Sequence, residues 1–501
     1  MAALLVLSSF GKKLVYDEFD NLAYGYRVLN EGPSVPRNGQ RMPVLALNAL
    51  PCLDEACRRA PLDESEGGRL AVRAPTMIFA LLLAVAAGAW TRELFGARAA
   101  LVALTLSAFD PTLLAHGKQV TSDVPAAFFV FASVWALWRL ARDRGRAGFN
   151  LVFCAVAVTG ALLSKYTNLL LVPVLGLLLL SHRRRAGEGA PARRRLAEAL
   201  VLFLLVLFFL NAAYLFQGTF QRADHYEWKS HAFRFLRTVP LPLPLPRVFV
   251  MGLDFSAYVQ EQPDVGRGNN YVLGRLGTEG TWYAFPLMLL LKTPLGALGL
   301  LVLALVRGLR GEEPRFDLAF LLLPFVAFLL AFSYLVDPQL GIRYLLPALP
   351  FLTVCAAAAA SAAARVNGLL ATGLVAWSVV SSLSYHPHYM SYFNELIGRR
   401  VNAYRYLADS NLDWEDRSQD IARFRRRHPG MRVIVEPEAP TSGHILVGAN
   451  KLVGVYEPER YRWLRENFEP VGHIGYSYLL FEVTPERLEE LKRTREAKPP
   501  S

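Results

Sequence analysis

Apolar runs long enough to cross a lipid bilayer recur through most of this 501-residue chain and confine what it can become. A hydrocarbon core about 30 Å thick calls for about 20 largely apolar residues in a helix. No backbone N–H or C=O can stay unpaired there, so helices are the natural spanning unit. Ten such runs lie near residues 75–94, 98–114, 125–140, 149–163, 168–180, 196–216, 282–306, 316–336, 342–364 and 367–383. An eleventh, from 2 to about 15, would reach only about 21 Å at helical rise. It either tilts into a thinned bilayer or continues a start that lies upstream. The composition agrees, at 53% apolar and 19% charged, against about 45–50% and about 25% in soluble domains. The expected fold class is an α-helical integral membrane protein with about eleven transmembrane helices.

The net charge of +12 invites a nucleic-acid reading, and the placement of the basic residues argues against it. Alternate short loops carry Arg92 and Arg98; Arg139, Arg142, Arg144 and Arg146; Arg183 to Arg185 and Arg193 to Arg195; Arg307, Arg310 and Arg315; and Arg365. Clustered in this way they mark cytoplasmic loops and contacts with anionic lipid, not a polyphosphate site. The opposite short loops hold little beyond Lys118, Lys165 and Arg343. This pattern places the N-terminus in the cytoplasm and the loops 11–74 and 217–281 outside, together with everything after 385. Residues 1–385 then form a membrane domain. From 386 to 501 the charge density rises and no run could span. Short β-rich stretches at 431–436 and 478–483, with helical patterns at 458–467 and 485–494, predict a small extracytoplasmic α/β domain. The four cysteines match no zinc spacing. An oxidising outer compartment permits Cys52 and Cys57 to pair, although on one continuous helix they would face different ways.

Ionisable groups at the ends of spans are costly unless paired or useful, which directs attention to three clusters. Asp17 and Glu18 stand immediately outside the first run, where a carboxylate can act as general base toward a hydroxyl or amine or simply be a solvated helix end. Arg41 and Arg343 face the same side. A guanidinium at the interface can grip a lipid phosphate in bidentate fashion, or it can snorkel to water. Asp123 follows Lys118-Gln119-Val120-Thr121-Ser122 and precedes Pro125, a pattern that also suits a helix cap. The loop 217–281 mixes aromatics with Arg and then alternates Leu and Pro, as an interface-lying connector or a lid would.

These stretches resemble the bacterial polyprenyl-phosphate-dependent glycosyltransferases of the GT-C superfamily, the group around protein O-mannosyltransferases and the lipid A aminoarabinose transferase. The resemblance is carried by Asp17-Glu18 with Ala23-Tyr24-Gly25-Tyr26, by Phe109-Asp110-Pro111 through Lys118, and by Thr121-Ser122-Asp123-Val124-Pro125. It continues through Ser164-Lys165-Tyr166, Trp282-Tyr283-Ala284-Phe285-Pro286, Lys292-Thr293-Pro294, Arg343-Tyr344-Leu345-Leu346-Pro347, His386-Pro387-His388-Tyr389 and Asp409-Ser410-Asn411-Leu412-Asp413-Trp414.

The resemblance implies a GT-C fold in a bacterial inner membrane, a polyprenyl-phosphate sugar as donor, and a protein, lipid or polysaccharide as acceptor. It implies Asp17 as catalytic base with Glu18 beside it, and Asp123 at the cavity mouth. Arg41 and Arg343 become the carrier-phosphate contacts, with the outward cations Lys118 and Lys165 in the same phosphate-binding set. Trp414-Glu415-Asp416 departs from the family's usual Trp-Gly-Gln-Asp, which leaves the tail a part in packing or acceptor docking. A phosphate leaving group needs no strong general acid, so one in-line displacement would invert the anomeric carbon. A divalent metal near Asp17, Glu18 and the histidines is compatible with this chemistry, but no close-spaced ligand set is visible, so no metal or cofactor is assigned. A lipid or sugar transporter is the alternative. It would place polar groups near the midplane in repeated halves, whereas here they gather at the outer mouth and no repeat is evident.

Overall fold

The apolar runs all contain helix, but fewer of them form full-length crossings than their number predicts. The computed structural model describes residues 1–33, 42–53, 65–142, 145–182, 192–262, 269–309, 315–361 and 368–496. Among these, four helices are long and apolar enough to cross a bilayer: Glu66–Phe95, Asp123–Ala141, Leu196–Ala213 and Asp317–Leu335. Ala284–Lys292 and Leu295–Gly308 would make a fifth as one span bent by 111°. Elsewhere the chain breaks its own runs. Asp110 caps Pro111–His116 by accepting the Leu113 N–H at 2.7 Å, with Pro111 in the first turn. The run 98–114 therefore divides after Ala97–Ala108. The run 342–364 opens as a 3₁₀ turn, Ile342–Leu345, and becomes α-helical only at Leu349–Ala357. The first run is helical only over Ala2–Ser9, and Gly11, at φ +71°, turns the chain.

The outward faces of the bundle remain apolar, with Leu369 81% and Leu196 72% exposed, as contact with lipid tails requires. Inside, Trp90 meets Phe131 at 5.2 Å and Phe351 at 6.2 Å, both edge-on, joining three helices.

Above the bundle lies the helix Tyr16–Glu31. Its Gly25 passes so close to the Pro43–Leu45 turn that an added Cβ would sit 2.4 Å from the Leu45 carbonyl oxygen. Arg41 and Cys57 lie outside the described residues; Cys52 is buried. The long outer loop forms the helix Arg247–Glu261 and a hairpin of Asn270–Val272 with Arg275–Gly277.

The tail folds around a four-stranded sheet in the order Val433–Val435, Gly443–Gly448, Tyr478–Val483, Gly472–Ile474. The first pair is parallel and the others antiparallel, with His444 opposite Glu482. The two strands and two helices anticipated from sequence are present at Val433–Val435, Tyr478–Val483, Arg462–Asn467 and Pro485–Glu496. The central strand Gly443–Gly448 was not anticipated, because its apolar core is only Ile445-Leu446-Val447 between glycines.

This domain is fastened to the bundle by buried charge. Glu415 is ion-paired with Lys12, with Lys118 at 2.6 Å and with Arg417 at 3.1 Å. Burial would raise the Glu415 carboxyl, but Lys118, Lys12 and Arg417 hold it well below the usual carboxylate range. Arg417 also donates to Ser477 Oγ at 3.1 Å, Ser391 Oγ at 3.1 Å and His388 Nδ1.

Two outcomes follow from this architecture. Glu415→Ala leaves three cations buried without their carboxylate and should destabilise the protein by about 3–5 kcal/mol, read as a fall in melting temperature in detergent. Gly25→Ala should cost about 1–3 kcal/mol by overpacking in the same measurement, whereas Gly67→Ala, where no atom lies within 4 Å of the new methyl, should be close to neutral.

Candidate active site

Asp17 occupies the first turn of Tyr16–Glu31, and the residue after it explains why that turn holds still. Glu18 is 1% exposed. It accepts from Arg73 Nε at 2.9 Å and Arg73 Nη2 at 2.7 Å, and from the Val15 N–H at 3.1 Å and the Val120 N–H at 3.0 Å. Arg73 in turn donates to the carbonyls of Lys12 at 3.1 Å and Lys13 at 3.0 Å. It projects from the N-terminal part of Glu66–Phe95, a helix capped by Ser65 Oγ, which accepts the Gly68 N–H at 2.9 Å. With four donors on its two oxygens, Glu18 is saturated and fixes the backbone beneath Asp17; it is not a free second base. Asp17 itself stays partly exposed.

The loop from Lys118 to Asp123 ties the remaining parts together. Asn21 Nδ2 donates to the Val120 carbonyl at 2.9 Å, and Gln119 Nε2 donates to the Trp414 carbonyl at 2.9 Å. Asp123 is ion-paired with Lys165 and accepts from Thr121 Oγ1 at 3.0 Å. Lys165 Nζ lies 5.1 Å from the Tyr344 ring centroid. Arg343 stacks on Trp414, its guanidinium carbon 4.1 Å from the ring centroid. Arg343 lies within electrostatic reach of Asp123, Asp409 and Asp17, which gathers the candidate acids around this guanidinium.

Two of the residues expected from sequence stand differently. Lys118 is 2% exposed and donates to the carbonyls of Ser8 at 3.0 Å and Pro387 at 3.3 Å, besides pairing with Glu415. The carboxylate at 415 competes for it with any phosphate and draws it into the join between the domains. Glu18 serves the architecture of the turn. Arg41 falls outside the described residues. Conversely, Trp414, Asp409 and Tyr456 come from the tail to this cluster. Trp414 bears directly on Arg343, and Tyr456 lies within electrostatic reach of Asp409, Asp17 and Arg343. The tail thus does more than pack. Arg73 was legible in principle, as one of two arginines, with Arg69, near the start of an apolar helix. Among the described residues no three His, Cys, Asp or Glu side chains converge as metal ligands.

Comparison with known proteins bears on this site. Residues 65–213 match the family described as dolichyl-phosphate-mannose-protein mannosyltransferase. The structure is similar to ArnT from Cupriavidus metallidurans bound to undecaprenyl phosphate, with a TM-score of 0.50 and 13% identity over 96% of each chain. It also matches the archaeal oligosaccharyltransferase AglB from Archaeoglobus fulgidus in complex with an inhibitory peptide and a dolichol-phosphate, at a TM-score of 0.47 and 15% identity over 80% of this chain and 56% of that one. No curated protein sequence matches the chain. The chain therefore shares the fold of ArnT, and its residues 65–213 match the mannosyltransferase family.

Proposed function

We propose that the protein transfers one sugar from a polyprenyl phosphate to an extracytoplasmic protein, lipid or polysaccharide, with inversion at the anomeric carbon. The observation that carries this reading is a partly exposed Asp17, set on a locked turn, within electrostatic reach of an Arg343 whose guanidinium lies over the Trp414 ring. Asp17 takes the acceptor proton as the nucleophile attacks. Arg343 and Lys165 meet the charge that develops on the departing phosphate. Asp123 positions Lys165, and Glu18 positions Asp17. Arg41 belongs to the same phosphate set on the strength of the sequence resemblance. The bound undecaprenyl phosphate of the ArnT structure supports a lipid phosphate in a fold of this kind. The arginine-rich loops support an N-terminus in the cytoplasm, with 11–74, 217–281 and 386–501 outside. On this reading 1–385 is the catalytic membrane domain and 386–501 an extracytoplasmic domain that contributes to this cluster.

The reading is tested by reconstituting the protein in lipid and following release of polyprenyl phosphate from a panel of polyprenyl-phosphate sugars. Asp17→Asn should lower turnover by about 10²- to 10⁴-fold, the usual contribution of a general base, with the melting temperature unchanged. Full activity in that variant would remove the base. Glu18→Ala should instead act on the fold, costing about 3–5 kcal/mol as Arg73 loses its buried partner. Arg343→Lys keeps the charge but loses the fork and the stacking, and should weaken use of the donor about tenfold or more, in line with about 1.5–3 kcal/mol for a charged hydrogen bond.

A further inference from the structure

The residue of this cluster that the proposed chemistry leaves without a task is Asp409. It stands in a turn that the structure holds from several sides. Ser410 Oγ donates to the Leu340 carbonyl at 2.7 Å, and Asn411 Oδ1 accepts the Ile342 N–H at 3.0 Å. The turn thereby grips the backbone on the N-terminal side of Arg343. Gly341 allows this approach, since an added Cβ there would meet Ser410 Oγ at 2.4 Å. Asn450 accepts the Asp409 N–H through Oδ1 at 2.7 Å and donates from Nδ2 to the Asp413 carbonyl at 2.9 Å. Within this clamp Asp409 adopts φ +57°, the left-handed region that a residue with a Cβ seldom enters. Such a conformation persists where the surroundings over-determine it, and it concentrates at functional sites.

The side chain is equally unusual. Asp409 Oδ2 is buried with no hydrogen-bond partner among the described residues, and the same holds for Arg343 Nε. The two charges lie within electrostatic reach of each other, and Asp17 also acts on Asp409, yet no ion pair joins Asp409 to Arg343 among the described residues. Burial pushes the Asp409 carboxyl up despite the pull of Arg343. Tyr456, 69% exposed, stands at the rim within electrostatic reach of all three groups.

We propose that Asp409 binds the transferred sugar, its Oδ2 accepting a hydrogen bond from a ring hydroxyl, with Tyr456 at the open side of the same subsite. The inference rests on the donor reading above. An in-line displacement requires the sugar ring to lie between the leaving phosphate and the incoming nucleophile. Phosphate and nucleophile are assigned to Arg343 and Asp17, and Asp409 acts on both with an acceptor atom unused. A buried acceptor that the correct sugar satisfies, and that a sugar lacking the hydroxyl leaves bare, discriminates by more than shape alone provides. Asp409 is thus a specificity-determining contact supplied by the extracytoplasmic domain, distinct from the base and from the phosphate grip.

The test uses the full-length protein in lipid with the donor that supports turnover, the same donor lacking single ring hydroxyls, and bare polyprenyl phosphate as competitor. Two variants suit the left-handed turn: Asp409→Asn, which tolerates that region and whose Oδ1 can still accept the Ser410 N–H, and Asp409→Gly, which enters it freely while giving up that one bond. Asp409→Gly should lower kcat/KM for the intact donor about tenfold or more. It should also abolish the penalty for one deoxy donor, leave inhibition by bare polyprenyl phosphate unchanged, and keep the wild-type melting temperature. Asp409→Asn, which retains an acceptor, should fall between the two. Loss of bare polyprenyl phosphate inhibition together with donor use would make Asp409 part of the phosphate site and overturn the proposal. So would an undiminished penalty for every deoxy donor. If the wild-type protein releases no polyprenyl phosphate from any donor, the glycosyltransferase reading itself falls and takes this inference with it, an outcome distinguishable because it does not depend on residue 409.

Discussion

Arg73 and Glu18 form the contact on which the outer surface depends. An arginine on the first turns of a membrane helix and a glutamate on a helix lying above it meet away from water, in a two-pronged pairing that also collects the carbonyls of Lys12 and Lys13. A buried pair of this kind gains little net stability over a well-packed apolar contact. Its value is geometric, because a fork with five fixed donors admits few arrangements. The path from residue 12 to residue 18 is set by this contact, and with it the position of Asp17. The Val120 N–H, given to the same carboxylate, brings the loop carrying Asp123 into register with that path.

Much of the fold was legible because the bilayer imposes a simple rule on sequence. Each of the eleven apolar runs contains helix. The lengths were less legible, since Asp110-Pro111, Thr293-Pro294 and the turn before Leu349 break runs that hydrophobicity alone would carry through. Capping and proline chemistry act over two or three residues, and a window of twenty averages them away. In the tail the strand Tyr478–Val483 was visible from its β-rich composition. The sheet's centre, Gly443–Gly448, was hidden because a strand covered by neighbours needs no alternation.

The site divides in the same way. Asp17, Asp123, Lys165 and Arg343 stand out in the sequence because charges next to apolar runs are conspicuous. Glu18 and Lys118 share that visibility and have other tasks, and nothing in their immediate sequence separates the two cases. The partners that decide it, Arg73 and Glu415, lie 55 and 297 residues away along the chain. The same distance concealed Trp414 and Asp409, which reach the cluster only because the tail folds back onto the bundle. Glu415 in place of the glycine usual in related sequences was the one local sign that the tail and the loop at Lys118 are interlocked.

That interlock determines how the protein meets its ionic surroundings. Ion pairs on a surface fade as the concentration of dissolved electrolyte rises, whereas pairs shielded from water are screened far less. Lys12, Lys118, Glu415 and Arg417 are each at most 7% exposed at the side chain. The tail domain is therefore seated by electrostatics without being sensitive to brine, and its hold on the bundle should persist across a wide range of dissolved salt.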